Sequence, residues 1–72
     1  MKFYDASKEL PKSSCDCVVI TKSGYISHMP YSVVYKKFNV HDYNEPEEVA
    51  RYSIEVVCWK PLQEFLQEVE YV

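Results

Sequence analysis

The sequence predicts an α+β fold: a small, three- to four-stranded, mostly antiparallel sheet with a C-terminal amphipathic helix. Three observations predict it. Cys17 to Lys22 (C-V-V-I-T-K) is rich in β-branched residues and apolar on both faces, as a central strand should be. Gly24, the only glycine in the chain, follows directly, where a hairpin needs a residue that tolerates positive φ. After Pro61, Leu62, Phe65, Leu66 and Val69 recur at the i, i+3, i+4, i+7 spacing of one helix face.

The remaining elements follow in order. Residues 1–11 read as an N-terminal lead anchored by Phe3 and Tyr4, with one helical turn between Asp5 and Leu10 before Pro11 interrupts it. A second strand runs from Tyr25 to Met29, and Pro30 closes it or forces a bulge. The third, Tyr31 to Phe38, alternates: Tyr31, Val33 and Tyr35 share one face, and Ser32, Val34, Lys36 and Phe38 the other. Residues 39–47 carry Asn, Asp and Pro and read as the longest loop. Asn44 is the expected cap of a short helix from Glu45 to Tyr52, with Pro46 in its first turn and acidic residues at its N-terminus. The last strand spans Ser53 to Trp59, with Ile54, Val56 and Cys58 on one face and Glu55, Val57 and Trp59 on the other. In the C-terminal helix, Gln63, Glu64, Gln67 and Glu68 form the wet face. The apolar stripe is expected to cover the sheet, because so small a sheet needs a second layer.

Size and composition set limits. A chain of 72 residues holds a single domain, 1–72. It buries about 60% of the surface its unfolded form exposes, so net stability is on the order of 3–5 kcal/mol. Apolar residues make up 47% of the chain, with seven Tyr, three Phe and one Trp, which is the composition of a folded chain rather than a disordered one. The net charge of −3 and the lack of a basic patch argue against nucleic acid as a partner, since Lys36–Lys37 is too small a pair to track phosphates. No run reaches the roughly 18 apolar residues of a membrane span, and no signal-like segment follows Lys2. Cys15, Cys17 and Cys58 form an odd set and read as free thiols in a reducing host-cell cytoplasm.

Reactive groups are few and poorly spaced. Cys15, Cys17, His28, His41 and Cys58 are the candidate metal ligands, but a single C-x-C without a second pair is not a zinc pattern, and no metal or cofactor is expected. Cys15 reads as loop and Cys17 as strand; a strand through both is expected to send their side chains to opposite faces. Cys58 could meet His28 only if their strands are neighbours, and between Val57 and Trp59 it reads as a buried, inert thiol. Glu47 with Glu48, and Asp42 with Glu45, read as solvated charge rather than an acid–base pair. One glycine leaves no room for a phosphate-cradling G-x-G-x-x-G or P-loop. The chain is therefore expected not to be an enzyme.

The aromatic residues exceed what so small a core can bury. Tyrosine offers large contact area, low entropic cost and a polar tip. Tyr25, Tyr31, Tyr35 and Tyr43 are thus the candidate contact surface, with Arg51, the only arginine, as a charged helper. A nucleotide stacked on these tyrosines would also need cations for its phosphates, for which Arg51, Lys36 and Lys37 are the candidates.

One combination of motifs is distinctive. Leu10–Pro11 precedes the C-V-V-I-T strand. A K-S-G turn, a tyrosine-rich hairpin ending in K-K-F at Lys36–Phe38, a loop, and a strand closing in C-W-K-P-L at Cys58–Leu62 then follow. Over residues 8–62 this resembles the domain of unknown function 551 family, small proteins of phages and prophages with an L-P-E start and a terminal T-H-W-M-P-L-P block. Cys58 stands where the family usually has His, and a helix-like L-Q-E-F-L-Q-E-V replaces the Pro-rich end. The resemblance implies a phage or prophage origin and a small β-rich fold, and no activity. Together these readings predict a non-enzymatic accessory protein that binds a host protein, as a counter-defence or regulatory inhibitor. The alternatives are an oligomeric module that captures a nucleotide between protomers and a structural phage subunit. Homo-oligomerisation would supplement a marginal core in each case.

Overall fold

The computed structural model describes residues 1–70. Five strands and two helices follow one another as β1 (Tyr4–Asp5), β2 (Cys15–Thr21), β3 (Ile26–Ser32), β4 (Lys37–Phe38), α1 (Pro46–Tyr52), β5 (Val56–Pro61) and α2 (Leu62–Glu68). The strands form one antiparallel sheet in the order β1-β5-β2-β3-β4. The α+β class and the C-terminal helix agree with the sequence reading; the strand count is five rather than three to four. β1 is new, and β4 is the detached end of the expected strand 31–38; each is two residues long, at opposite edges of the sheet. Two residues are too few for an alternation to show in sequence.

β2 sits at the centre because it can be buried on both sides: Cys17, Val18 and Val19 are all buried. The larger core lies on the face of Cys17 and Val19, where Met29, Tyr31, Phe38 and Trp59 close over them. Two tilted aromatic pairs brace this layer, Tyr4 with Trp59 at 4.7 Å and Tyr31 with Phe38 at 4.8 Å between ring centroids. Such pairs add about 0.5–1.5 kcal/mol each beyond the area they bury. The Trp59 indole N–H donates to the Glu9 carbonyl at 2.9 Å. Leu10, Pro11, Trp59 and Pro61 line one groove beside it. The Leu10–Pro11 and Cys58–Leu62 motifs therefore meet in space, with Trp59 of the second belonging to the core. The Asp5 carbonyl accepts the N–H groups of Lys8 and Glu9, forming the expected turn before Pro11.

Three boundaries differ from the sequence reading. The expected second strand is neither closed nor bulged at Pro30: β3 runs through it without a register shift. It takes in Tyr31 and Ser32 from the expected third strand and stops there instead of continuing to Phe38. Ser32 Oγ accepts the Tyr35 N–H at 3.2 Å and Ser14 Oγ accepts that of Val33 at 2.9 Å. These side-chain acceptors turn the backbone, and Lys36 takes a positive φ of 56° before β4 begins. The last strand begins at Val56, and a bulge at its start upsets the alternation. Ile20 faces Cys58 while Thr21 faces Val56, leaving Val57 as the additional residue. Val56 consequently packs on the core and Val57 is exposed. The cap of α1 is Glu45, not Asn44: Glu48 Oε1 accepts the Glu45 N–H at 2.8 Å, and Asn44 Oδ1 is engaged by the His41 N–H at 2.7 Å.

α2 packs against β2 and β5. Its apolar stripe is only half used: Leu62 and Phe65 are half-buried and Leu66 is 62% exposed. Charge does the rest. Lys60, only 4% exposed, donates to the Lys2 carbonyl at 2.8 Å, with its Nζ 2.9 Å from Glu68 and 3.7 Å from Glu64. The hydrogen bond to Glu68, outweighing burial, raises the lysine pKa above its ordinary value. The glutamates read as a wet face thus clasp a buried ammonium, because a charge withdrawn from water needs partners of opposite sign.

Candidate functional site

The predicted tyrosines do not form one surface. Tyr31 is 2% exposed and belongs to the core, so it offers almost no free area for contact. It pairs with Cys15 across the sheet and packs on Phe38, so a strand tyrosine facing the closed layer becomes a core residue. Tyr35 is half-buried, its hydroxyl donating to the Asn44 carbonyl at 2.5 Å, and so ties the 33–36 turn to the following loop. Tyr25 is exposed at the tip of the β2–β3 hairpin. Arg51 is exposed on α1 with its guanidinium carbon 6.0 Å from the Tyr52 ring centroid. Tyr43 is 78% exposed, and its ring lies stacked on His41 at 4.8 Å and 7°.

Tyr43 and His41 stand at the rim of a groove of about 290 Å³. The start of β2 (Ser14, Cys15, Asp16), the end of β3 (Pro30, Tyr31) and the 41–43 loop line it. The loop is held there by one carboxylate. Asp42 accepts the Ser32 hydroxyl at 2.6 Å and the Ser14 hydroxyl at 2.7 and 2.9 Å. These hydroxyls, Ser32 first and Ser14 second, hold its carboxyl below the usual aspartate range. The groove thus offers a fixed, ionised carboxylate, the exposed Asp16 carboxylate and a flat aromatic plate. Aromatic faces and carboxylates both favour cations. Among the residues predicted to bind, only Tyr31, as floor, and Tyr43, as rim, line it. Lys36, Lys37 and Arg51 do not.

The sequence reading missed Ser14, Asp16 and Ser32 and placed Asp42 among solvated charges. The only local signal was Asp42 in a turn-rich loop. Its partners lie 28 and 10 residues away, beyond any spacing rule.

The thiols are arranged differently from the expectation. Cys15 and Cys17 both lie in β2 with Sγ atoms 3.7 Å apart, on one face rather than two, since a strand returns to the same face every second residue. Burial, with Cys15 and Asp16 adding to it, pushes the Cys17 thiol well above its ordinary pKa, so it stays protonated and unreactive. Cys58 is half-buried rather than buried. His28 and Cys58 lie on β3 and β5, which β2 separates, so they are not neighbours. Among the described residues no three His, Cys, Asp or Glu side chains converge as metal ligands, and no helix is long and apolar enough to cross a membrane. Ser14 donates to Asp42 directly, with no imidazole between them, since the His41 ring lies on Tyr43. No family model matches the chain, and no curated protein or solved structure matches it.

Proposed function

We propose that the protein is a non-enzymatic binding protein whose partner is another protein, engaged through the Tyr43 groove by a cationic side chain. The observation that carries this reading is the pairing of an exposed His41–Tyr43 stack with the carboxylates of Asp42 and Asp16 around one groove. A lysine or arginine entering there would meet an aromatic face and negative charge together. The same charges disfavour a nucleotide, whose phosphates would be repelled by the carboxylates and would find Arg51 elsewhere. The motif resemblance supports a phage or prophage source, hence a host protein as partner, with a counter-defence or regulatory role. That role would be exercised in the host-cell cytoplasm.

Affinity capture from host lysate tests the proposal. One host protein is expected on the wild-type chain and is lost on Tyr43→Ala and on Asp16→Lys. Capture unchanged by both variants would remove the groove as the site. In parallel, a nucleotide panel should leave the thermal midpoint unmoved; a rise with one nucleotide would favour the ligand-capturing alternative.

A further inference from the structure

The outer edge of β3 is occupied along only part of its length. Antiparallel partners alternate between pairs that exchange both backbone hydrogen bonds and pairs that exchange none. The Thr21 N–H donates to the Tyr25 carbonyl at 2.8 Å, which sets the phase of the β2–β3 ladder. In the observed register Ile26 faces Ile20, His28 faces Val18 and Pro30 faces Asp16. By alternation these three pairs exchange no bond, so the β3 members point their backbone groups away from β2. The carbonyl of Pro30 confirms the phase, because it accepts the Asn39 N–H at 2.7 Å on the outer side. Beyond Pro30 that side is taken by β4. Before it, the N–H and C=O groups of Ile26 and His28 have no backbone partner among the described residues; only the Ser27 hydroxyl reaches the His28 carbonyl, at 3.5 Å.

We propose that this edge pairs antiparallel with the same edge of a second copy, about a two-fold axis passing through Ser27. In that register Ile26 faces His28 of the second copy and His28 faces its Ile26, so every outward N–H meets an outward C=O. Ser27 faces Ser27, a pair without hydrogen bonds whose strands approach most closely and which small side chains suit. The two Ile26 side chains become diagonal neighbours on one face, within contact range. That removes from water a residue now 75% exposed, next to Tyr25 at 70%.

Three features select a second copy over an unrelated strand. The open run is bounded by Pro30, which has no N–H, and by the turn at Gly24, so it is too short to hold a generic extended peptide along its length. A two-fold contact uses the run and its apolar flank twice. Finally, no Lys, Arg, Asp or Glu occurs from Tyr25 to Tyr35, so this edge lacks the charges by which sheet edges usually repel one another.

Sedimentation across a wide concentration range tests the proposal. The mass should rise from 8.5 kDa toward twice that value, and the Ile26 and His28 amides should exchange hydrogen more slowly as the dimer fills. Ile26→Lys and His28→Pro should each hold the mass at the monomer value. Neither removes a bond to β2, and circular dichroism will verify that both remain folded. Val34→Lys, on an exposed residue away from the edge, should leave the dimer intact. A mass of 8.5 kDa at every concentration would overturn the proposal, as would a dimer that survives both edge variants.

Discussion

The two ends of the β2–β3 ladder behave as different materials. At the end where β2 starts and β3 finishes, Cys17, Met29, Tyr31 and Ser32 are buried, and the 41–44 loop and the N-terminal lead close around them. At the hairpin end, every residue from Lys22 to His28 is exposed. One strand pair therefore supplies both the core of the molecule and an arm held out from it. The difference teaches where the free energy of folding resides: with a total of only about 3–5 kcal/mol, the packed end must carry nearly all of it.

The contrast can be broken from the packed end first. Trp59→Ala removes the Tyr4 stack and the bond to Glu9, and should cost about 3–5 kcal/mol, enough to leave the chain largely unfolded in urea titrations. Second, Asp42→Asn should lower stability at neutral pH by weakening the clasp on Ser14 and Ser32. Because the folded carboxyl lies below its ordinary value of 3.8, the wild-type clasp is at full strength above that value and fades as pH falls through the folded one. The variant should therefore differ from wild type at neutral pH and converge with it in acid. An equal deficit at both would show that the loop is held by something other than ionised Asp42.

The arm should respond more weakly. Gly24 has φ of 93°, and a Cβ added there would meet nothing within 4 Å, so Gly24→Ala should cost about 1–2 kcal/mol from backbone conformation alone. A thermal melt of the variant measures that cost directly. The smallest effect on stability is expected at the groove rim, where Tyr43→Ala should stay within about 0.5 kcal/mol of wild type by thermal melt while abolishing partner capture. A large loss of stability there would place Tyr43 with the packed end and sharpen the boundary between the two.

Elements with a local cause were legible in sequence. The central strand, the turn at Gly24, α1 with Pro46 in its first turn and the helix after Pro61 all follow from propensity and period within a few residues. The site was less legible, and for one reason. Tyr43 was expected at a surface and is exposed, but Tyr31 was assigned to the same surface because alternation shows which residues share a face and not which face is closed. The hydroxyls that hold Asp42 in place, the bulge at Val57 and the orientation of α2 around Lys60 each depend on contacts between distant segments.

Composition and periodicity alone determined that this chain folds as α+β, with a central apolar strand, a hairpin turn at its one glycine and a C-terminal helix. Tertiary structure alone decided which aromatics are spent on the core, which carboxylates gather beside Tyr43, and which backbone groups of β3 are left without a partner. The physical reason is range: torsional preference and hydrophobic period act over a few residues, whereas burial and hydrogen-bond satisfaction are settled only once the whole sheet has closed.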